Sequence, residues 1–157
     1  MKTADLVDAH NDKVQFCDLP FRKFGRKRAF FGPIATIETF EDNALLRAYL
    51  QEPGNGRVMV VDGGGSSRCA LLGDQIAKIL IDNGWAGIVI NGTIRDSLEI
   101  DGMDCGVFCL ATSPKKSAKD GSGKRDVTVS FGGATFSPGH FAYCDADGVL
   151  VSEERLA

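Results

Sequence analysis

The sequence predicts an α/β fold, and two observations carry that prediction. The stretch Arg57–Asp96 alternates strand and helix signals: an apolar, β-branched run at Val58–Asp62, a helix opened by Gly73-Asp74 and closed at Asn83-Gly84, and a second apolar run at Gly87–Asn91. The last third, by contrast, is short strands separated by Gly and Pro turns. With 157 residues, 43% of them hydrophobic, the chain is long enough for one core, so a single domain over 1–157 is expected.

The elements follow in order. Thr3–Ala9 reads as a short helix with Thr3 as N-cap and Asp5 and Asp8 in its first turns. Arg22–Arg28, in which five of seven residues are Lys or Arg, reads as a solvated loop leading into a strand. Ala29–Phe40 is a strand with a bend at Gly32-Pro33. Asn43–Gln51 is a helix, with Leu46, Tyr49 and Leu50 at helical spacing and Pro53-Gly54 as its stop. Ser97–Ile100 forms one helical turn, and Cys105–Ala111 a buried strand. Ser113–Lys124, rich in Lys, Ser and Gly, reads as a mobile surface connector, the alternative being a lid or anion-steering loop. Val127–Phe131, Ala134–Phe136, Phe141–Cys144 and Val149–Ser152 are strands, the last two joined through Ala146-Asp147-Gly148.

The central stretch places chemistry at one end. A helix from Asp74 to Asn83 is roughly 15 Å long, and the strand Gly87–Asn91 covers roughly 17 Å. Packed antiparallel, they return the chain to its starting level, so Asp74 and the pair Arg95-Asp96 share one mouth with the free N–H groups of Gln75 and Ile76. Two carboxylates, a guanidinium and a helix start suit an anionic substrate held with a divalent metal, since magnesium sites use only one or two carboxylates. In this reading Asp74 orients metal-bound water; the alternative is a plain helix cap. Asp62 reads as a turn former at a strand end, with Glu99 a spare acid nearby.

Composition excludes several classes. The net charge of −3 argues against nucleic acid as a direct partner. Five scattered cysteines without C-x-x-C fit buried, reduced thiols in a cytoplasmic protein and not a zinc site. No apolar run reaches the 18 residues a membrane span needs, and no signal region is expected at the start. The contiguous Gly63-Gly64-Gly65 lacks the G-x-G-x-x-G spacing, and no acidic residue ends the next strand, so a nucleotide or methyl-donor site is disfavoured. These glycines are read instead as a turn close to a small ligand or a neighbouring subunit.

At these residues the sequence resembles the RraA-like family, which contains regulator of ribonuclease activity A and the class II 4-hydroxy-4-methyl-2-oxoglutarate aldolases. TADLVDA, FGPIATI, DNALLRAYL, VVDGGGS, ALLGDQIA, NGTIRD and GVLVS carry the resemblance across nearly the whole chain. Asp74, twenty intervening residues, then Arg95-Asp96 resembles the family's aldolase signature. The resemblance implies a swivelling β/β/α domain in a ring-shaped homotrimer with active sites at subunit interfaces. It implies Asp96 as ligand of Mg²⁺ or Mn²⁺, Arg95 at the keto-acid end of the substrate, Gly73, Asp74, Gln75 and Ile76 binding substrate through backbone amides, and Asp74 bonding metal-bound water. Longer aldolases supply a glutamate to the adjacent site from a C-terminal extension; Glu153 and Glu154 are the candidates here.

The expected function is therefore a metal-dependent lyase cleaving 4-hydroxy-4-methyl-2-oxoglutarate to pyruvate, with oxaloacetate decarboxylation through the same enolate. Arg95 and Asp74 are its expected catalytic residues. The alternative is a regulator that binds and inhibits a ribonuclease through the trimer surface, with Arg22–Arg28 and Ser113–Lys124 as its sequence support. The family has also carried a menaquinone-pathway methyltransferase label, which the glycine spacing does not support.

Overall fold

Two parallel strands that are apolar up to their last residue form the centre of the molecule, because both of their faces are covered. The computed structural model describes residues 1–157. In chain order the elements are α1 (Thr3–His10), β1 (Val14–Cys17), β2 (Arg22–Phe24), β3 (Phe30–Glu38), α2 (Ala44–Leu50), β4 (Val58–Asp62), β5 (Ala70–Leu72), α3 (Asp74–Asp82), β6 (Gly87–Asn91) and β7 (Thr93–Ile94). Then come α4 (Ser97–Asp101), β8 (Val107–Cys109), β9 (Ala111–Thr112), β10 (Lys124–Arg125), β11 (Val129–Phe131), β12 (Ala134–Phe136), β13 (Phe141–Asp145) and β14 (Gly148–Ser152).

The main sheet runs β1-β14-β13-β3-β4-β6-β8-β2, with β10 on β3. Its middle (β3, β4, β6, β8) is parallel, and its flanks are antiparallel. Period-two alternation then sorts the side chains. Met59, Val61, Ile88 and Ile90 face a core completed by Leu46, Tyr49 and Leu50 of α2, Ile76 and Leu80 of α3 and Ile100 of α4. Val58, Val60 and Val89 face a second core closed by Val129, Phe131, Ala134 and Phe136 of the β11–β12 hairpin. The layers are helices, parallel sheet and hairpin, which makes the fold α/β as the sequence predicts.

Gly32-Pro33 marks a change of partner within one strand. Phe30–Pro33 pairs antiparallel with β13, and Ile34–Glu38 pairs parallel with β4. Four other expectations need correction. Thr3 is not the N-cap of α1; Lys2 is, and the Thr3 N–H and hydroxyl both donate to the Asp145 carboxylate. Arg22–Arg28 is not all loop, because Arg22–Phe24 forms the edge strand β2 against β8. Such an edge tolerates charge: the Lys23 ammonium lies over the Phe108 ring, its stem covering apolar surface while its head stays wet. Cys105–Ala111 is not one strand; it divides at Leu110 into β8 in the main sheet and β9 in a separate one. Nor is Ser113–Lys124 a free connector, since Ser113 and Ser117 are buried and the Ser117 hydroxyl donates to the Ala70 carbonyl.

All five cysteines are unpaired and buried. Burial pushes the Cys105 thiol up to about 11 and the Cys109 thiol to about 12, so neither is a ready nucleophile. No helix is long and apolar enough to cross a membrane.

Candidate functional site

A small parallel sheet, β5-β7-β9, assembles the site. Ala70 pairs with Thr93 and Leu72 with Ile94, while Thr93 pairs with Ala111 and Ile94 with Thr112. The Arg95 N–H donates to the Leu72 carbonyl and the Ser113 N–H to the Ile94 carbonyl. Parallel strands paired side by side end at the same edge, here with a one-residue shift between Ala70 and Leu72. The segments that follow them, Gly73–Ile76, Arg95-Asp96 and Ser113–Lys119, therefore emerge side by side. The helix–strand return read from the sequence gives the right destination; these strands, too short to register as apolar runs, make the final placement.

Gly73, Asp74, Gln75, Ile76, Arg95 and Asp96 all line one cleft of about 110 Å³. The Asp74 N–H donates to Asp96 Oδ2 at 3.1 Å, so the first residue of α3 orients the carboxylate that precedes α4. That N–H is thereby spent. Of the four backbone amides expected to bind substrate, those of Gly73, Gln75 and Ile76 are the ones left open at the helix start.

Asp96 sits at φ +55°, a left-handed conformation that Asp and Asn tolerate better than other side chains. A Cβ built on Gly73 would lie 2.8 Å from Asp96 Oδ2, so the glycine is required by the close approach of that carboxylate. Gly63 has a different reason. A Cβ there would meet Leu71 and the Asn91 carbonyl, which are the chain's own packing. Asp62 acts as the turn former expected, accepting from the Gly64 N–H and Asn91.

Sequence reasoning missed half of the lining: Asn43, Arg47, Ala70, Lys116, Ser117 and Lys119. Arg47 lies in ALLRAYL, where apolar spacing drew all the attention, although it stands one helical turn after Asn43. Lys116 and Lys119 belong to the segment read as a connector. Buried Asp42 registers these two groups, accepting from the N–H groups of Ala44, Asp120, Gly121 and Ser122. Burial alone would raise its carboxyl, but those N–H groups outweigh burial and hold it below the usual carboxylate range.

No group of three or more His, Cys, Asp or Glu side chains is arranged to enclose a metal. One protomer by itself therefore builds no closed cage for a metal. An open magnesium-type site is a different case, needing one or two carboxylates with water and substrate oxygens. Asp96 fits that requirement: the bond from Asp74 is the one hydrogen bond its carboxylate receives, and the group faces the cleft. Glu153 and Glu154 lie elsewhere on the protomer, in a cleft with Asp12 and Gln15.

The model of the RraA-like family, described as Aldolase/RraA, matches residues 3–151. The chain belongs to the RraA-like family. An RraA-like relative from Aromatoleum aromaticum, named "Putative 4-hydroxy-4-methyl-2-oxoglutarate aldolase", is 53% identical over 99% of this chain and 98% of its own. One of the same name from Cupriavidus necator is 52% identical over 98% of this chain and 96% of its own. Among solved structures, an RNA-processing inhibitor RraA from Thermus thermophilis superposes with a TM-score of 0.96 at 41% identity, covering 100% of this chain and 95% of that one. A Geobacillus kaustophilus protein titled an S-adenosylmethionine:2-dimethylmenaquinone methyltransferase superposes at 0.98 with 52% identity, covering 99% and 97%. The RraA-like α/β fold is thus common to proteins with three different printed activities, and only the site can discriminate among them.

Proposed function

We propose that the cleft is the active site of a carbon–carbon lyase that cleaves 4-hydroxy-4-methyl-2-oxoglutarate to pyruvate and decarboxylates oxaloacetate through the same pyruvate enolate. The observation that carries this reading is the Asp74–Asp96 contact, which brings the aldolase signature together beside the Arg95 guanidinium. The names of relatives above 50% identity support the same substrate.

Asp96 would hold a divalent cation, Mg²⁺ or Mn²⁺. Such an ion supplies Lewis-acid polarisation of the keto oxygen. The chain's own groups do the rest. The open N–H groups of Gln75 and Ile76 bind the substrate carboxylate at the positive end of α3. Arg95 grips the keto-acid end and neutralises the negative charge that develops there. Asp74 accepts the 4-hydroxyl proton through a water. As that proton leaves, the C3–C4 bond breaks and its electron pair passes into the enolate of pyruvate. The other half departs as a second pyruvate, and a proton returned to C3 completes the cycle. Oxaloacetate loses CO₂ by the same movement of electrons.

The test is turnover of both acids with Mg²⁺ and with excess chelator. Metal-dependent cleavage is expected; no turnover of either acid by metal-loaded protein would overturn the reading. The second reading, a regulator that binds a ribonuclease, draws support from the Thermus relative's printed role. It predicts a stable complex with a ribonuclease and no turnover. A ring-shaped homotrimer with sites at its boundaries belongs to the lyase reading. It draws support from Leu98, 87% exposed two residues beyond Asp96. Sedimentation of the intact protein measures this directly.

A further inference from the structure

We infer that the cleft holds a second anion subsite, formed by Arg47 and Lys119, which selects 2-oxo acids bearing a further carboxylate at the end remote from the keto group. The inference rests on the 2-oxo acid reading above and names the residues that set its substrate class.

The charges on the cleft wall exceed what a simple 2-oxo acid needs. Its lining holds Arg47, Arg95, Lys116 and Lys119 against the carboxylates of Asp74 and Asp96. One planar carboxylate with an adjacent carbonyl is matched by the Arg95 fork and the helix-start amides. Arg47, Lys116 and Lys119 are then surplus, and of these Arg47 and Lys119 are tied to one another through the start of α2. Elsewhere in the chain Arg28, Arg68 and Arg125 each pair with a carboxylate, and Arg26 and Arg57 are bonded to backbone carbonyls. The guanidiniums of Arg47 and Arg95 pair with none, and both point into the same concave site.

Arg47 and Lys119 are held in place together. Asn43, at the N-cap of α2, donates its side-chain amide to the Leu71 carbonyl, fixing the helix that carries Arg47 against β5. The Asn43 N–H donates to the Ala118 carbonyl, and the Ala118 N–H to the Glu41 carbonyl. Lys119, the next residue, therefore emerges beside the start of α2, four residues before Arg47. Asp42 closes the arrangement through Asp120, Gly121 and Ser122. A subsite held by backbone bonds spends little binding energy on ordering.

The test compares two ligands that differ only at the remote end: 2-oxoglutarate, and 2-oxopentanoate, in which a methyl replaces the distal carboxylate. Affinities are measured by titration calorimetry on the intact protein with saturating Mg²⁺. The wild type should prefer 2-oxoglutarate at least tenfold. In Arg47→Ala the preference should fall to within threefold, and in Lys119→Ala, an exposed position tolerant of change, it should fall in the same direction. Because each preference is a ratio within one protein, a general loss of affinity cancels. Equal affinities in the wild type, or a preference that survives both substitutions, overturns the subsite and leaves the lyase reading standing. Failure of the wild type to bind either acid overturns the 2-oxo acid reading itself.

Discussion

Gly73→Ala isolates the position of one carboxylate. The backbone of Gly73 has φ −125° and ψ −172°, extended geometry that alanine adopts freely, so no backbone strain enters. The added methyl carbon would stand 2.8 Å from Asp96 Oδ2, where ordinary contact begins at 3.4 Å. One of the two must therefore yield by about 0.6 Å. Gly73 is fixed by its place between β5 and α3, and Asp96 by its left-handed backbone, so the Asp96 carboxylate rotates away and its bond from the Asp74 N–H weakens. Alanine at an N-cap costs about 0.5–1 kcal/mol relative to glycine, and Tm should fall by about 2–4 °C. Turnover should fall far more, because misplacing a reacting group by about 1 Å can cost about 10²-fold. A loss of about tenfold or more is expected, with a weaker apparent affinity for Mg²⁺. The assay is pyruvate release from 4-hydroxy-4-methyl-2-oxoglutarate across a Mg²⁺ series, beside a thermal melt. A variant with turnover within twofold of wild type at every Mg²⁺ concentration would refute the dependence of the chemistry on Asp96 geometry.

Asp42→Asn should destabilise the protein by about 2–4 kcal/mol, since buried N–H groups lose a charged acceptor, and it should weaken substrate binding by loosening Lys116 and Lys119; denaturant melts and KM measure the two, and an unchanged KM in a destabilised protein contradicts the positioning role. The same carboxyl predicts a pH dependence. Its folded value is depressed, so its stabilisation is present above the unfolded value near about 3.9 and is lost as pH falls through the folded value. As pH falls below about 4 the wild type should lose Tm more steeply than Asp42→Asn; parallel profiles would show that Asp42 is not the group responsible. Arg95→Lys keeps the charge but loses the planar fork, and kcat should fall at least about tenfold. A rise in KM with kcat intact would remove Arg95 from enolate stabilisation.

The parts of the fold legible in the sequence are those with a long periodic signal. β4, β6 and α3 lie at or within a residue of where apolar runs and the Gly73-Asp74 and Asn83-Gly84 boundaries put them. The elements that escaped are short or atypical: β7 is two residues, and β2 is Arg-Lys-Phe. Pairing across the sheet, not local propensity, makes these into strands. The site divides in the same way. Gly73, Asp74, Arg95 and Asp96 were legible because they are anchored to the ends of readable elements. Arg47, Lys116 and Lys119 reach the cleft through contacts between Ala118 and residues 41–43, about 75 residues away along the chain. Local sequence carries no trace of such a contact.

The most direct measurement uses pyruvate itself. A site that stabilises a pyruvate enolate should form one from pyruvate, because that step lies on the reverse path of both proposed reactions. In D₂O with Mg²⁺ or Mn²⁺, the methyl protons of pyruvate should exchange for deuterium, seen by NMR as loss of the methyl signal. Exchange should stop with excess chelator. It should also fail in Asp96→Asn, a change that alters the carboxylate while asparagine still tolerates the left-handed backbone at this position. No metal-dependent exchange by folded, metal-loaded wild-type protein, or undiminished exchange by Asp96→Asn, would contradict the account.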